Sequence, residues 1–160
     1  MTERRIGWAF VAVQIVLLVG LVVMPSADHY PTPGWLDVMV TIVFWLGVAI
    51  AILGGVALGR ALTATPVPNH AATLRTRGPY RNVRHPIYTG VILIVIALAV
   101  GSGNVAGLAL GAATIGFFHV KASWEEDRLA ERFPEYERYA AMTPRFVPRV
   151  APRAVPSVRR

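Results

Sequence analysis

From Ile87 to Val120 the chain reads IYTGVILIVIALAV, then GSGN at 101–104, then VAGLALGAATIGFFHV. Both flanks are uncharged and apolar, and the four residues between them carry the glycines and asparagine of a tight turn. The reading is two helices folded into an antiparallel hairpin, Ile87–Val100 and Val105–Val120. The first starts at Pro86, since proline suits the first helical position. Fourteen residues of helix cover about 21 Å, short of a bilayer core of about 30 Å. The hairpin is therefore expected to tilt or to thin the membrane locally.

Working outward, Ile6–Met24 is an apolar run interrupted by Gln14 and ended by Pro25, and Leu36–Gly59 is a second run, charged only at Asp37 and ended by Arg60. Each is long enough to span. The first also exceeds the usual apolar stretch of a secretory signal, so it is read as a span. The composition agrees. Of 160 residues, 54% are hydrophobic and 16% charged, with a mean hydropathy of +0.50, where average chains carry about 25% charged residues. That excludes disorder. The absence of cysteine excludes a disulfide scaffold, thiolate metal sites and thiol nucleophiles.

Charge sets the expected topology. Arg4 and Arg5 precede the first run; Arg60, Arg75, Arg77, Arg81 and Arg84 lie between the second and third; Lys121 and the remaining arginines follow the fourth. The loops at 25–35 and 101–104 carry no Lys or Arg. The positive-inside rule then gives four spans, about 6–24, 36–59, 86–100 and 105–121, with both termini cytoplasmic. The excess of arginine over lysine points to a GC-rich bacterium and so to its inner membrane. One membrane domain, 1–148, precedes a basic flexible tail at 149–160 that touches lipid. The net charge of +7 is accounted for by topology and anionic head groups. No basic stripe with interleaved aromatics suggests nucleic acid.

Two polar segments carry the candidate chemistry, and the hairpin brings them together. One is Gly78-Pro79-Tyr80-Arg81-Asn82-Val83-Arg84-His85-Pro86-Ile87-Tyr88-Thr89-Gly90. Pro86 biases His85 out of the helical region, at a bend before a helix N-terminus suited to an anion. Gly90 leaves room for close packing. Arginines at a membrane entry, a helix-starting proline and an interfacial tyrosine would explain the same segment structurally. The other begins His119-Val120-Lys121-Ala122-Ser123-Trp124-Glu125-Glu126-Asp127-Arg128. If the fourth helix continues, His119, Ser123 and Glu126 share a face. The adjacent carboxylates need cations, with Arg128 and Arg132 the local candidates. Together the segments suit a zwitterionic ligand, amine to Glu and carboxylate to Arg or His. Gly107 and Gly111 read as a packing face, and Gln14 as a hydrogen bond to another helix. The four histidines lack metal-ligand spacing, and no glycine fingerprint for a dinucleotide is present.

The first segment resembles the hallmark of the membrane methyltransferases, the group that includes isoprenylcysteine carboxyl methyltransferase and the phospholipid N-methyltransferases. Glu125-Glu126, Leu129, Phe133, Tyr136, Tyr139, Pro144-Arg145-Phe146 and Pro148 resemble its second block. The resemblance covers roughly 74–149. It implies an all-α membrane fold without a Rossmann core, S-adenosylmethionine bound on the cytoplasmic side between the hairpin and the C-terminal segment, and a lipophilic acceptor reaching the methyl group from the bilayer. Tyr80, Arg84, His85, Tyr88 and Gly90 match cofactor-contacting positions. Glu125 and Glu126 match the acidic pair near the cofactor amine or reaction centre, and Arg132 matches an arginine that orients an acceptor carboxylate. The chain departs from larger members in its four spans, and carries Asn82 where an aromatic is frequent.

The implied reaction is carboxyl O-methylation of an isoprenylcysteine-like or other hydrophobic acid. A carboxylate needs orientation, from Arg132 or Arg145, and no base. The alternative acceptor is a phospholipid amine, which must lose a proton to Glu126 or His85. A further alternative is a nicotinamide-dependent membrane lipid or sterol reductase. Those enzymes share Arg-His-Pro-x-Tyr-x-Gly but commonly have Asn after the proline and Glu after the glycine, where this chain has Ile87 and Val91.

Overall fold

The computed structural model describes residues 2–59 and 74–149. Arg60 as the end of the second span, and all but the first residue of the basic tail, lie outside them. The described residues form helices α1 (Thr2–Val22), α2 (Gly34–Leu58), α3 (Pro86–Gly101), α4 (Val105–Arg132) and α5 (Tyr136–Met142), a 3-10 turn at Gly78–Arg81, and no strand. The protein is an all-α membrane protein. α1, α2 and α4 are long and apolar enough to cross a bilayer, and α3 is a shorter apolar helix.

α3 begins at Pro86, as the sequence predicts, with His85 as its cap at φ −125° and ψ 67°. α4 differs from expectation. Its apolar run stops near residue 121, yet the helix continues unbroken to Arg132, about 42 Å in all. No Gly or Pro follows Val120 until Pro134, and the intervening Ala, Glu, Arg and Leu are good helix formers. Hydropathy marks where the apolar surface ends, and Phe133-Pro134 marks where the helix ends.

α3 occupies the middle of the bundle. On one side it meets α2 at a crossing of small residues: a Cβ at Gly90 would strike the Gly47 carbonyl and Ala51, and one at Gly54 would strike Ile87. On the other side it meets α4, where Gly111 faces Ala99 and Gly107 faces Ser102, the packing face expected of that pair. α1 lies along α4 through Phe10, whose ring sits 5.9 Å from Phe117 and 5.5 Å from Trp124. Leu21, Val95 and Ala99 form the buried core. Val16, Val22, Val38, Trp45, Ile52 and Val56 are exposed on the outer faces of α1 and α2, as lipid-facing residues are.

One end of the bundle is closed by backbone bonds. Ala27 N donates to Ser102 O (2.9 Å), His29 N to Gly103 O (3.1 Å) and the Tyr30 hydroxyl to Val100 O (2.7 Å). Asn104 caps α4 through Ala106 N (2.9 Å) and donates to Pro25 O (3.1 Å). Gly103, at φ +62°, has the Ala27 carbonyl where a Cβ would stand. The charged segments meet at the other end.

Candidate active site

The charged end is built by three stretches of chain. Arg84 and His85 lie before α3, Glu125 and Glu126 lie on the polar extension of α4, and residues 136–146 fold back across both. Backbone bonds hold the fold-back: Arg84 N donates to Pro144 O (2.8 Å) and His85 N to Arg145 O (3.1 Å). The Thr89 hydroxyl adds a bond to Phe146 O (2.9 Å). The Arg84 guanidinium also donates to Ala140 O (2.8 Å) and Thr143 O (2.7 Å), neutralising the carbonyl end of α5. Tyr139 reaches back to Tyr80 O (2.6 Å).

Glu126 is the hub. Its carboxylate accepts from Arg84 Nε (3.0 Å) and Nη2 (3.1 Å), from Arg145 Nε (3.0 Å) and Nη2 (2.6 Å), and lies 3.0 Å from His85 Nε2. Two bidentate arginines and an imidazole fill the roughly four lone-pair positions of a carboxylate. Arg145 Nη1 also donates to Ser123 (3.0 Å), and the Glu126 carboxylate raises the Arg145 pKa. Burial pushes the hydroxyls of Tyr80 and Tyr139 up to about 12 from an ordinary 10.0, so both remain neutral donors.

Glu125 is held differently. The Tyr88 hydroxyl donates to its Oε1 (2.5 Å), and its Oε2 lies 3.6 Å from His85 Nδ1. His85 thus bridges the two carboxylates, with its ring stacked parallel to Tyr88 at 5.3 Å. Lys121, buried one turn before Glu125, places Nζ 5.1 Å from the Tyr88 ring centroid and donates to Gln14 Oε1 (2.6 Å). Gln14 therefore makes the interhelical bond its sequence position suggested. His119 and Ser123 share the Glu126 face as expected, with His119 edge-on to Phe146 at 4.8 Å.

Arg84, His85, Tyr88, Glu125 and Glu126 thus come together. Tyr80 lies beneath them, its hydroxyl 3.4 Å from Gly54 O. Gly90 sits at the α2–α3 crossing. Arg132 occupies the last turn of α4, roughly 240° around the helix from Glu126, with its guanidinium 5.6 Å from the Phe133 ring. The expected partnership of Arg128 with the acidic pair is corrected. Arg128 lies 3.6 Å over Trp124, donates to Trp124 O (3.1 Å) and approaches Glu3 (3.5 Å). Two residues past Glu126 is about 200° of helix rotation, which turns Arg128 toward α1. The cations on Glu126 come from other parts of the chain. Sequence reasoning missed Lys121, although its signal was present: a lysine at the end of an apolar run, four residues before Glu125.

Three helices long and apolar enough to cross a bilayer are thus joined at one end by a cluster of carboxylates, arginines and a histidine. The chain belongs to the phospholipid methyltransferase family, whose model matches residues 35–136, from α2 to the start of α5. It is 33% identical over 153 residues to the cobalt-zinc-cadmium resistance protein CzcN of Cupriavidus metallidurans, covering 94% of this chain and 67% of that protein. It is 29% identical over 153 residues to the nickel-cobalt-cadmium resistance protein NccN of Alcaligenes xylosoxydans xylosoxydans, covering 94% and 68%. Arg145 lies beyond the residues that the family model matches.

Proposed function

We propose that the protein transfers a methyl group from S-adenosylmethionine to a lipophilic acid, isoprenylcysteine-like or of another class, at the cytoplasmic face of a bacterial inner membrane. The observation that carries this reading is the unequal engagement of two neighbouring carboxylates. Glu126 is saturated by Arg84, Arg145 and His85. Glu125 retains acceptor capacity on Oε2, which has only the 3.6 Å approach of His85.

The donor set fits an amino-acid-bearing sulfonium. Glu125 can take its ammonium group. Arg145 leaves N–H donors unused and its side chain is 29% exposed, so it can take a carboxylate. The Tyr136 hydroxyl, buried without a hydrogen-bond partner among the described residues, adds another polar group beside them. When bound, the sulfonium supplies an electrophilic methyl carbon. The protein has to align an acceptor oxygen with that carbon and keep water away. A carboxylate acceptor asks only for orientation, which Arg145 or Arg132 offers. An amine acceptor asks for a base, yet Glu126 and His85 are engaged with each other at 3.0 Å. That favours the acid over the phospholipid amine, and family membership favours methyl transfer over nicotinamide-dependent reduction. The metal-resistance names of the two relatives lend no ligand set here. Among the described residues no group of three or more His, Cys, Asp or Glu could hold a metal ion.

The test is calorimetric titration of detergent-purified protein with S-adenosylhomocysteine, beside Glu125→Gln and His85→Ala. Saturable binding that weakens at least tenfold in both variants is expected. Folded wild-type protein that does not bind would overturn the methyl-transfer reading. Undiminished binding by Glu125→Gln would remove Glu125 from the site.

A further inference from the structure

Two faces of α4 meet at Lys121. Phe117 and Trp124 point to α1, where both rings meet Phe10, at 5.9 Å and 5.5 Å. Lys121 shares their face, four residues after one and three before the other. Phe118 and Glu125 belong to the neighbouring face and meet Tyr88 of α3. Lys121 therefore leaves α4 at the border of the two faces, one turn before Glu125.

The buried ammonium has a choice of two partners. Nζ donates to Gln14 Oε1 on α1 (2.6 Å), and the carboxylate whose charge acts on it is Glu125. Side chains four residues apart on a helix, lysine and glutamate included, can pair directly. Here they do not. Among the described residues the ion pairs of Glu125 and Glu126 are with His85, Arg84 and Arg145. The Gln14 bond draws the ammonium toward α1. Nζ comes to rest 5.1 Å from the centroid of the Tyr88 ring, whose hydroxyl holds Glu125 Oε1 (2.5 Å). Gln14 lies one turn along α1 from Phe10, so the seating of Phe10 fixes where its carbonyl stands. α1 precedes the residues that the family model matches, and Lys121 and Glu125 fall within them. A buried cation left without a partner is costly, so a Lys121 deprived of Gln14 is driven to Glu125.

We infer that Gln14 is a positioning residue for donor binding: its carbonyl holds the Lys121 ammonium off Glu125, so that Glu125 can receive the ammonium group of the donor. Without that bond Lys121 closes on Glu125 and competes with the donor, cation against cation. The competition rests on the methyl-transfer reading; the restraint on Lys121 does not.

Two measurements on the detergent-purified protein separate these parts. Lys121 is the only lysine, so isotope labelling of lysine Cε gives a single side-chain NMR resonance. Gln14→Leu should move it. Glu125→Gln added to Gln14→Leu should then move it at least twice as far as Glu125→Gln does in wild type. A shift no larger than in wild type would overturn the inference. Calorimetry with S-adenosylhomocysteine reads the competition. Gln14→Leu should weaken binding at least tenfold, and Lys121→Met added to it should recover at least fivefold. Gln14→Glu, which keeps an acceptor for the ammonium, should stay within threefold of wild type. A double variant no tighter than Gln14→Leu would mean that Gln14 merely ties α1 to α4, and would overturn the inference, as would wild-type affinity in Gln14→Leu. Should Gln14→Leu not fold, Gln14→Asn, polar and one methylene shorter, replaces it, with a loss of about threefold that Lys121→Met again removes. Wild type that shows the resonance pattern but binds no S-adenosylhomocysteine would sink the methyl-transfer reading, and the competition with it, and leave Gln14 standing as the restraint on Lys121.

Discussion

The two ends of the bundle solve different problems. At the end formed by Pro25–Tyr30 and Ser102–Asn104, polar side chains bond to backbone: Tyr30 to Val100 O, Ser102 to Ala99 O, and Asn104 to Ala106 N and Pro25 O. The 101–104 turn is uncharged. At the opposite end the principal bonds join charged side chains to one another across separate segments: Arg84–Glu126 and His85–Glu126 span more than 40 residues, and Arg145–Glu126 spans 19. Closing a helical hairpin needs only the first kind. Buried ion pairs are an inefficient source of stability, because desolvation offsets most of the attraction. The charge at that end is therefore more than closure of the fold requires.

Removing the hub should separate the ends most sharply. Glu126→Ala leaves two arginines and an imidazole facing one another, and breaking a buried pair in this way costs about 3–5 kcal/mol. The expected outcome is a lowered unfolding midpoint in detergent and faster proteolysis after residue 134. Glu126→Gln, which keeps the shape, should be milder, and equal stability of all three proteins would contradict the hub. Next in size is Gly90→Ala. Its added methyl meets the backbone of Gly47 and Ala51, and overpacking of this kind costs about 1–3 kcal/mol. A thermal melt should show the loss; an unchanged melt would mean that α2 and α3 can separate freely.

Asn104→Ala tests the quiet end. It removes the α4 cap, worth about 1 kcal/mol, and should lower the melting midpoint modestly with S-adenosylhomocysteine affinity unchanged. A loss of affinity would show that the two ends are coupled. The smallest effect is expected for Glu3→Ala. The Glu3 side chain is 59% exposed beside Arg128, and pairs of this kind contribute at most about 1 kcal/mol. Raising the salt concentration should erase whatever difference a melt detects.

Much of the fold was legible because membrane helices announce themselves locally. The runs ending at Pro25 and near Gly59, the Pro86 start and the 101–104 turn all rest on residues within a few positions of the feature. Hydropathy marks the end of the fourth span near residue 121 and leaves open how far the helix runs on; Pro134 carries the signal for its end at Arg132. At the site, the adjacent glutamates and Arg84-His85 stood out, but their pairing did not. Arg128 was the nearest cation in sequence, and only the direction in which each side chain leaves α4 excludes it. Arg145 became the partner because residues 144–146 lie beside 84–85 through backbone bonds, which no local pattern encodes.

By itself the sequence determined an all-α membrane protein, the starts of α3 at Pro86 and α4 at Val105, and the two segments that hold the charge. Hydrophobic run length, proline and turn residues act over a few positions, so they can be read in order along the chain. Only the tertiary structure decided that α2 clamps α3 through Gly47, Gly54 and Gly90, that Glu126 meets Arg84, Arg145 and His85 while Glu125 meets Tyr88 and the far side of the His85 ring, and that Lys121 meets Gln14 across 107 residues. Those outcomes depend on rotation about helix axes and on a C-terminal fold-back. Both are fixed by packing between elements and not by the residues adjacent to each one.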